Sequence, residues 1–314
     1  MSTVLSAGNG PTALLDQAGD LRRIVEEKRQ ELRHRGRGSH LRTLAVLSGK
    51  GGVGKSNVSV SLSCALADQG KRVVLLDADL GMANLDILCG VSAKYNLSHL
   101  VTGSRELNEI LIPLEKRVFL LPGGVGLKEM ADLDDEGMER VFDLLMTLED
   151  QADILILDTG AGIHKGVLSF AHAADMTLLV TTPEPTSVRD AYGVIKSLGG
   201  GGQKPGEELM LVVNMAGSRD EAREVAERIR MASMQFLGNA PAYLGYILRD
   251  DSVERAVRSR KIFYRSHPSS SAANCIKRLT NELLRLWEGR PVPVEPKGLR
   301  SFFLRLTRNF FVER

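Results

Sequence analysis

Gly49, Gly54, Lys55 and Ser56 fall at the spacing G-x-x-x-x-G-K-[ST], inside Gly49-Lys50-Gly51-Gly52-Val53-Gly54-Lys55-Ser56-Asn57. The residue types suit the cradling of phosphate. Glycines let the backbone curl so that successive N–H groups point inward, with no Cβ in the way. The following helix adds the positive end of its dipole. Lys55 can reach the β- and γ-phosphates, and the Ser56 hydroxyl can ligate Mg²⁺. Chance produces such a string in on the order of one chain per hundred of this length. Its setting, between the apolar run Leu44-Ala45-Val46-Leu47 and a helix-like segment from Asn57 to Ala67, makes chance a poor account. The expectation is a nucleoside triphosphate site with Mg²⁺.

Three further strings end apolar runs. Asp77-Ala78-Asp79 closes the second; two acids at the carboxyl end of a strand can touch a metal ion or an attacking water, although helix capping is another use for Asp79. Leu155-Ile156-Leu157-Asp158-Thr159-Gly160-Ala161-Gly162 closes the fourth, and Asn214 closes Leu209–Val213. The asparagine amide offers both a donor and an acceptor.

These strings need a frame. Apolar strand candidates lie at 43–48, 73–77, 117–121, 153–157, 176–182, 209–214 and 243–248. Helical candidates alternate with them at 56–69, 105–111, 134–149, 164–173, 186–198 and 219–237, and Ser270 to Trp287 adds another. Thr186 or Ser187 is the expected cap of the helix at 186–198. The predicted class is α/β, a mostly parallel sheet covered by helices on both faces, with ligands at the carboxyl ends of the strands.

The chain has 314 residues, 43% hydrophobic and 25% charged, with a net charge of +2, so no global field argues for nucleic acid, and direct nucleic-acid binding is not expected. Cys64, Cys89 and Cys275 stand far apart, which excludes a C-x-x-C metal site and points to thiols in a reducing compartment. No signal peptide and no apolar run near about 18 residues is evident, which makes the cytoplasm the expected compartment.

The ends differ from the middle. Residues 1–35 combine an irregular start with an amphipathic helix carrying Leu14, Ala18, Leu21, Val25 and Leu32, and from Leu21 to Arg42 eight Lys/Arg face three Glu. Residues 36–42 read as a linker, so the helix is either a detachable interaction element or a helix packed on the main domain at 43–290. Residues 291–297 are a stiff Pro-rich linker. In 298–314, Leu299, Phe302, Phe303, Leu306 and Phe310 share one helical face, edged by Arg300, Arg305 and Arg308, and four of the nine phenylalanines are here. That composition suits a helix lying on a membrane surface; docking on the protein's own core is the other use for such a face.

The string Lys50-Gly51-Gly52-Val53-Gly54-Lys55-Ser56 resembles the deviant Walker A motif of the MinD/ParA ATPases, a SIMIBI-type P-loop family. The resemblance covers about residues 43–290. It implies an ATPase whose signature lysine, Lys50, reaches the partner's phosphates in an ATP-driven homodimer. It implies that Asp79 positions the hydrolytic water, that Asp77 supports it or the metal shell, and that Asp158 holds Mg²⁺ ahead of a switch hinged at Gly160 and Gly162. Asn214 resembles the base-reading Asn, which the family often follows with a basic residue; here Met215 follows. Asp16-Gln17-Ala18-Gly19-Asp20-Leu21-Arg22 resembles the D-Q-A-x-x-L-R element of the FlhG branch (FleN or YlxH), flagellar number regulators. That element (Asp16, Gln17, Ala18, Leu21 and Arg22) implies an FlhF-type signal-recognition GTPase as partner. Further expectations are an anionic membrane surface on the inner face of the cell membrane when ATP is bound, and flagellar switch (C-ring) components or a flagellar transcription activator. Division-site and partition ATPases are the alternative branches.

Overall fold

Runs such as Leu44–Leu47 and Val73–Leu76 are apolar on both faces, so each strand must be covered twice, and a sheet between two helical layers does this. The computed structural model describes residues 41–79, 81, 83–123, 126–129, 133, 135–199, 209–288, 299, 302, 303, 305 and 306, all within the compact unit Ser39–Arg314. The N-terminal helix and the Pro-rich linker lie outside these residues.

In chain order, β1 (Arg42–Ser48), α1 (Lys55–Asp68) and β2 (Val73–Ala78) are followed by the short α2 (Leu85–Cys89), α3 (Leu97–Val101) and α4 (Leu107–Ile110). A hairpin of β3 (Ile112–Glu115) and β4 (Val118–Pro122) leads to α5 (Gly126–Glu129), α6 (Asp135–Met146) and α7 (Leu148–Gln151). Then come β5 (Ile154–Ala161), α8 (Lys165–Ala173), β6 (Met176–Thr181), α9 (Pro185–Gly199), β7 (Leu209–Ala216) and α10 (Arg219–Leu237). The described core ends with β8 (Ala242–Leu248), α11 (Asp251–Arg258), α12 (Phe263–Ser266) and α13 (Ser271–Glu288).

The sheet runs β3-β4-β2-β5-β1-β6-β7-β8, parallel except for β3, which pairs antiparallel with β4. Successive strand residues enter opposite layers, as a period of two requires. Ala45, Leu47, Val74 and Leu76 join one buried cluster with side chains of α6, α8, α9 and α10, whereas Leu44, Val46, Val73 and Leu75 join the other with α1 and α13. The predicted class holds, with β3 as an added edge. The cap expected at Thr186 or Ser187 is not made there. The α9 helix begins at Pro185, and Ser187 Oγ accepts from Thr182 N at 3.1 Å instead, fastening the helix to the end of β6.

The tail is docked on the protein's own core, one of the two uses open to such a face. Leu299, Phe302, Phe303 and Leu306, predicted to face a membrane, lie on helical backbone at 0, 0, 2 and 6% exposure in the same cluster as Val141, Leu145, Leu148 and Phe170. Phe303 stacks on Phe142 with ring centroids 5.4 Å apart, and Leu299 N donates to Glu149 Oε1 at 2.6 Å. Arg305 Nε donates to Ala173 O at 2.8 Å, and its Nη2 lies 3.5 Å from Asp175 Oδ1. The physical reason is that a groove of apolar side chains removes this face from water as well as lipid would, at about 1.5–3 kcal/mol per large side chain. Phe310 lies outside the described residues. Among the described residues, no helix is long and apolar enough to cross a membrane.

Arg72, leading into β2, and Asp153, leading into β5, hold those strands in register. Asp153 Oδ2 accepts from Arg72 N and Oδ1 from Arg72 Nη2, both at 2.7 Å. Burial pushes the Asp153 carboxyl upward, but the hydrogen bonds and charge of Arg72 outweigh it and hold the group below its ordinary value. A lowered carboxylate contributes stability above its unfolded pKa and loses it as pH falls through the folded one. Asp153→Asn is therefore expected to lower stability by about 1 kcal/mol at pH 7, discounted for the pair's partial exposure. Thermal melts should show the difference from the parent protein vanishing as the pH falls below the carboxylate range.

Candidate nucleotide site

The turn between β1 and α1 is built on Gly52 and Gly54, at φ 80 and 85, which glycine adopts without strain. Gly54 caps α1, and Val58 N donates to Gly54 O at 3.0 Å. Gly49 is required by a close approach, because a Cβ there would meet the Asp190 carbonyl carbon at 2.4 Å. A Cβ on Gly51 would meet nothing within 4 Å and the residue is exposed, Val53 is buried, and Ser56 and Asn57 are half-buried in the first turn of α1.

Lys55 and Asp158 form the electrostatic centre. Lys55 Nζ lies 2.8 Å from Asp158 Oδ1, and the two side chains are 9 and 2% exposed. Ser59 Oγ donates to the same oxygen at 2.8 Å. The sequence reading missed Ser59; it stands four residues after Lys55 and thus on the same face of α1, which is the signal that could have found it.

Asp77 pairs in parallel register with Asp158. It is 3% exposed, and its Oδ2 accepts from Asn84 N at 2.9 Å and Leu85 N at 3.0 Å. Burial raises its pKa to about 6 against these bonds, with Asp158 adding to the rise. Within the described residues Asp77 thus anchors the start of α2 to β2. Asp79 takes the neighbouring position: its Oδ1 accepts from Gly81 N at 2.9 Å and lies 3.4 Å from where a Cβ on Gly160 would stand. Gly162, at φ 99, donates its N–H to Ser48 O at 2.8 Å, which ties the end of β5 to the start of the phosphate loop.

Lys50 does not point into the loop. Its Nζ lies 2.7 Å from Glu184 Oε1 and 3.0 Å from Thr186 Oγ1, at the junction of β6 and α9. The Lys50 hydrogen bond, with that of Thr186, holds the Glu184 carboxyl below its ordinary value. Asn214 is buried, with Nδ2 donating to Val53 O at 2.8 Å.

The donor set suits a nucleotide with Mg²⁺. The Ser56 hydroxyl and Asp158 carboxylate are hard oxygen donors of the kind Mg²⁺ prefers. Among the described residues no group of three or more His, Cys, Asp or Glu could hold a metal by itself, so phosphate oxygens would complete the shell. Ser48 Oγ is buried without a partner at the foot of the loop, a polar atom with capacity to spare. Bound there, Mg²⁺ would neutralise phosphate charge, and Lys55, paired now with Asp158, would have phosphate oxygens as alternative partners.

A glycine-lined loop feeding a helix, with its lysine on an aspartate of the neighbouring parallel strand, defines a P-loop nucleotide-binding protein, and the similarities that follow make it an ATPase that uses Mg²⁺. Residues 44–263 match the CobQ/CobB/MinD/ParA nucleotide binding domain, and the chain belongs to that family. It is 37% identical to the antiactivator FleN of Pseudomonas aeruginosa over 84% of this chain and 92% of that protein. It is 34% identical to the flagellum site-determining protein YlxH of Helicobacter pylori, over 84% of this chain and 89% of that protein. Among solved structures it is similar to MinD of Pyrococcus horikoshii complexed with Mg-ADP, with a TM-score of 0.61, 25% identity, and coverage of 79% of this chain and 97% of that one.

Removing the ammonium would strand a buried carboxylate. Lys55→Ala is expected to cost about 3 kcal/mol in the nucleotide-free protein. Differential scanning calorimetry should show that Mg-ADP raises the melting temperature of the parent protein and leaves that of Lys55→Ala unmoved.

Proposed function

We propose that this ATPase is a switch controlling the number or placement of flagella, cycling between the cytosol and the inner face of the cell membrane. The docked tail carries the reading: an aromatic, amphipathic face held in a groove whose far wall, α8, begins four residues after the end of β5. ATP closes a homodimer in which Lys50 leaves Glu184 for the partner's phosphates. Asp158 and Ser56 hold Mg²⁺, Asp77 supports the shell, Asp79 orients the hydrolytic water, and Asn214 reads the base. Movement at Gly160 and Gly162 passes to α8, whose end holds Arg305 through Ala173 O. The freed tails of the dimer then bind anionic lipid together, and pairing raises their effective concentration. The similarity to YlxH, a protein named for determining the flagellum site, supports the flagellar setting.

Vesicle co-sedimentation with ADP and with ATP, using the full chain and a truncation ending at Pro296, tests the cycle. Pelleting is expected with ATP, reduced with ADP and lost on truncation. Equal pelleting of the truncation would remove the tail from the reading.

The partner is proposed to be an FlhF-type GTPase engaged by Asp16, Gln17, Ala18, Leu21 and Arg22. A peptide of residues 1–35 is expected to raise GTP turnover of such an enzyme, and a peptide carrying Gln17→Ala and Leu21→Ala to leave it at its basal rate. A second reading, restraint of a flagellar transcription activator, is favoured by the similarity to a protein named an antiactivator.

A further inference from the structure

Ser59 places a hydroxyl where the buried ion pair meets. It is 0% exposed, and its Oγ lies 2.8 Å from Asp158 Oδ1 and 3.1 Å from Lys55 O. One hydroxyl proton serves one acceptor at a time, and the carboxylate, being charged and nearer, takes it. Ser63, one turn further along α1, shows the ordinary arrangement: its Oγ donates at 2.8 Å to Ser59 O, the carbonyl four residues back. The same backbone bond is open to Ser59, so its bond to Asp158 is not dictated by the helix.

Asp158 depends on such a bond. Its backbone is fixed, because Val46 and Asp77 pair with it from the two flanking strands. Its carboxyl plane is not, because the last torsion of an aspartate is broad and lacks sharp rotamer wells. Hydrogen bonds must set that plane. Among the described residues both donors, Lys55 Nζ at 2.8 Å and Ser59 Oγ at 2.8 Å, fall on Oδ1, and none falls on Oδ2. The two donors differ in permanence. Lys55 carries its ammonium on a flexible four-carbon stem and has phosphate oxygens as alternative partners, whereas Ser59 has one short side chain on the buried face of α1. When Lys55 turns to phosphate, Ser59 is the donor that stays.

We propose that Ser59 is a positioning residue for Asp158: it holds Oδ1 against α1 and so keeps Oδ2 available to Mg²⁺ once Lys55 has turned to the phosphates. The proposal rests on the assignment of Asp158 to Mg²⁺. It gives Ser59 an effect on the metal without contact to metal or nucleotide, as hydrogen bonds behind a metal ligand commonly have.

Titration calorimetry of the full chain with ADP in EDTA and with ADP in excess Mg²⁺ tests it, the ratio of the two affinities giving the metal's contribution. Ser59→Ala is expected to bind ADP in EDTA within about twofold of the parent and to lose about tenfold of the gain that Mg²⁺ brings. Ser59→Thr, which keeps the hydroxyl, should recover most of that gain. In the nucleotide-free protein Lys55 still holds the carboxylate, so Ser59→Ala should melt within a few degrees of the parent. An unchanged Mg²⁺ gain in Ser59→Ala would overturn the proposal, as would an equal loss of ADP affinity with and without the metal, the mark of a structural role alone. Asp158→Asn separates the two assignments: a full Mg²⁺ gain there removes Asp158 from the metal, and the proposal with it. A lost gain in Asp158→Asn, with Ser59→Ala behaving as the parent, overturns Ser59 alone.

Discussion

The buried pair between Lys55 and Asp158 is the contact on which the site depends. Either charge alone in that place would be costly, and together they are paired, with Ser59 taking up further acceptor capacity of the carboxylate. The pair spans two adjacent parallel strands, because Lys55 opens the helix after β1 and Asp158 lies within β5, beside it. Across β2 and β5 the register sets Asp77 beside Asp158, and across β1 and β5, past an irregularity after Val46, Ser48 pairs with Ala161, so the sheet positions the phosphate loop, both carboxylates and the end of β5. A slip of one residue between β1 and β5 would turn Asp158 to the opposite face and lose them together.

Much of this frame was legible because its signals are strong and local. Seven strands were readable as apolar runs, and the phosphate loop, Asp77, Asp158 and Asn214 were readable as the residues that end them. The eighth strand, Ile112–Glu115, was not: four residues at a sheet edge, including a proline, carry no alternation. The short helices α2, α3, α5, α11 and α12 were also missed, most of them having a turn or so with too few positions to show a period of 3.6. Among site residues, Ser59 was invisible as chemistry. It acquires a role only once the fold brings it to Asp158, and serine on a helix carries no signal of that kind.

The tail shows where pattern reading reaches its natural limit. Leu299, Phe302, Phe303 and Leu306 repeat at i, i+3, i+4 and i+7, which specifies an apolar helical face and nothing about what covers it. Lipid and a protein groove both remove that face from water, so the same residues serve either. The polar contacts distinguish the two. Arg305 to Ala173 O and Leu299 N to Glu149 are directional bonds that a membrane would not reproduce, and they set one register of docking.

Those directional contacts attach the tail to elements that the nucleotide site also uses. Asp175, beside Arg305, accepts from Thr43 N at 2.9 Å and Thr43 Oγ1 at 3.0 Å, at the start of the strand that feeds the phosphate loop. The α8 helix, whose last carbonyl holds Arg305, follows Gly160 and Gly162. The tail is therefore bonded where β6 begins and α8 ends, one strand length from the loop, and two routes of covalent and hydrogen-bonded structure connect them. Along these two routes a change at the phosphates would move β1 or α8. Because β1 is a central strand buried on both faces while α8 begins on a glycine-bearing loop, α8 is the element with room to move. Of the two routes, the segment from Asp158 to Ala173 is on these grounds the one that can carry a displacement from the nucleotide loop to Arg305.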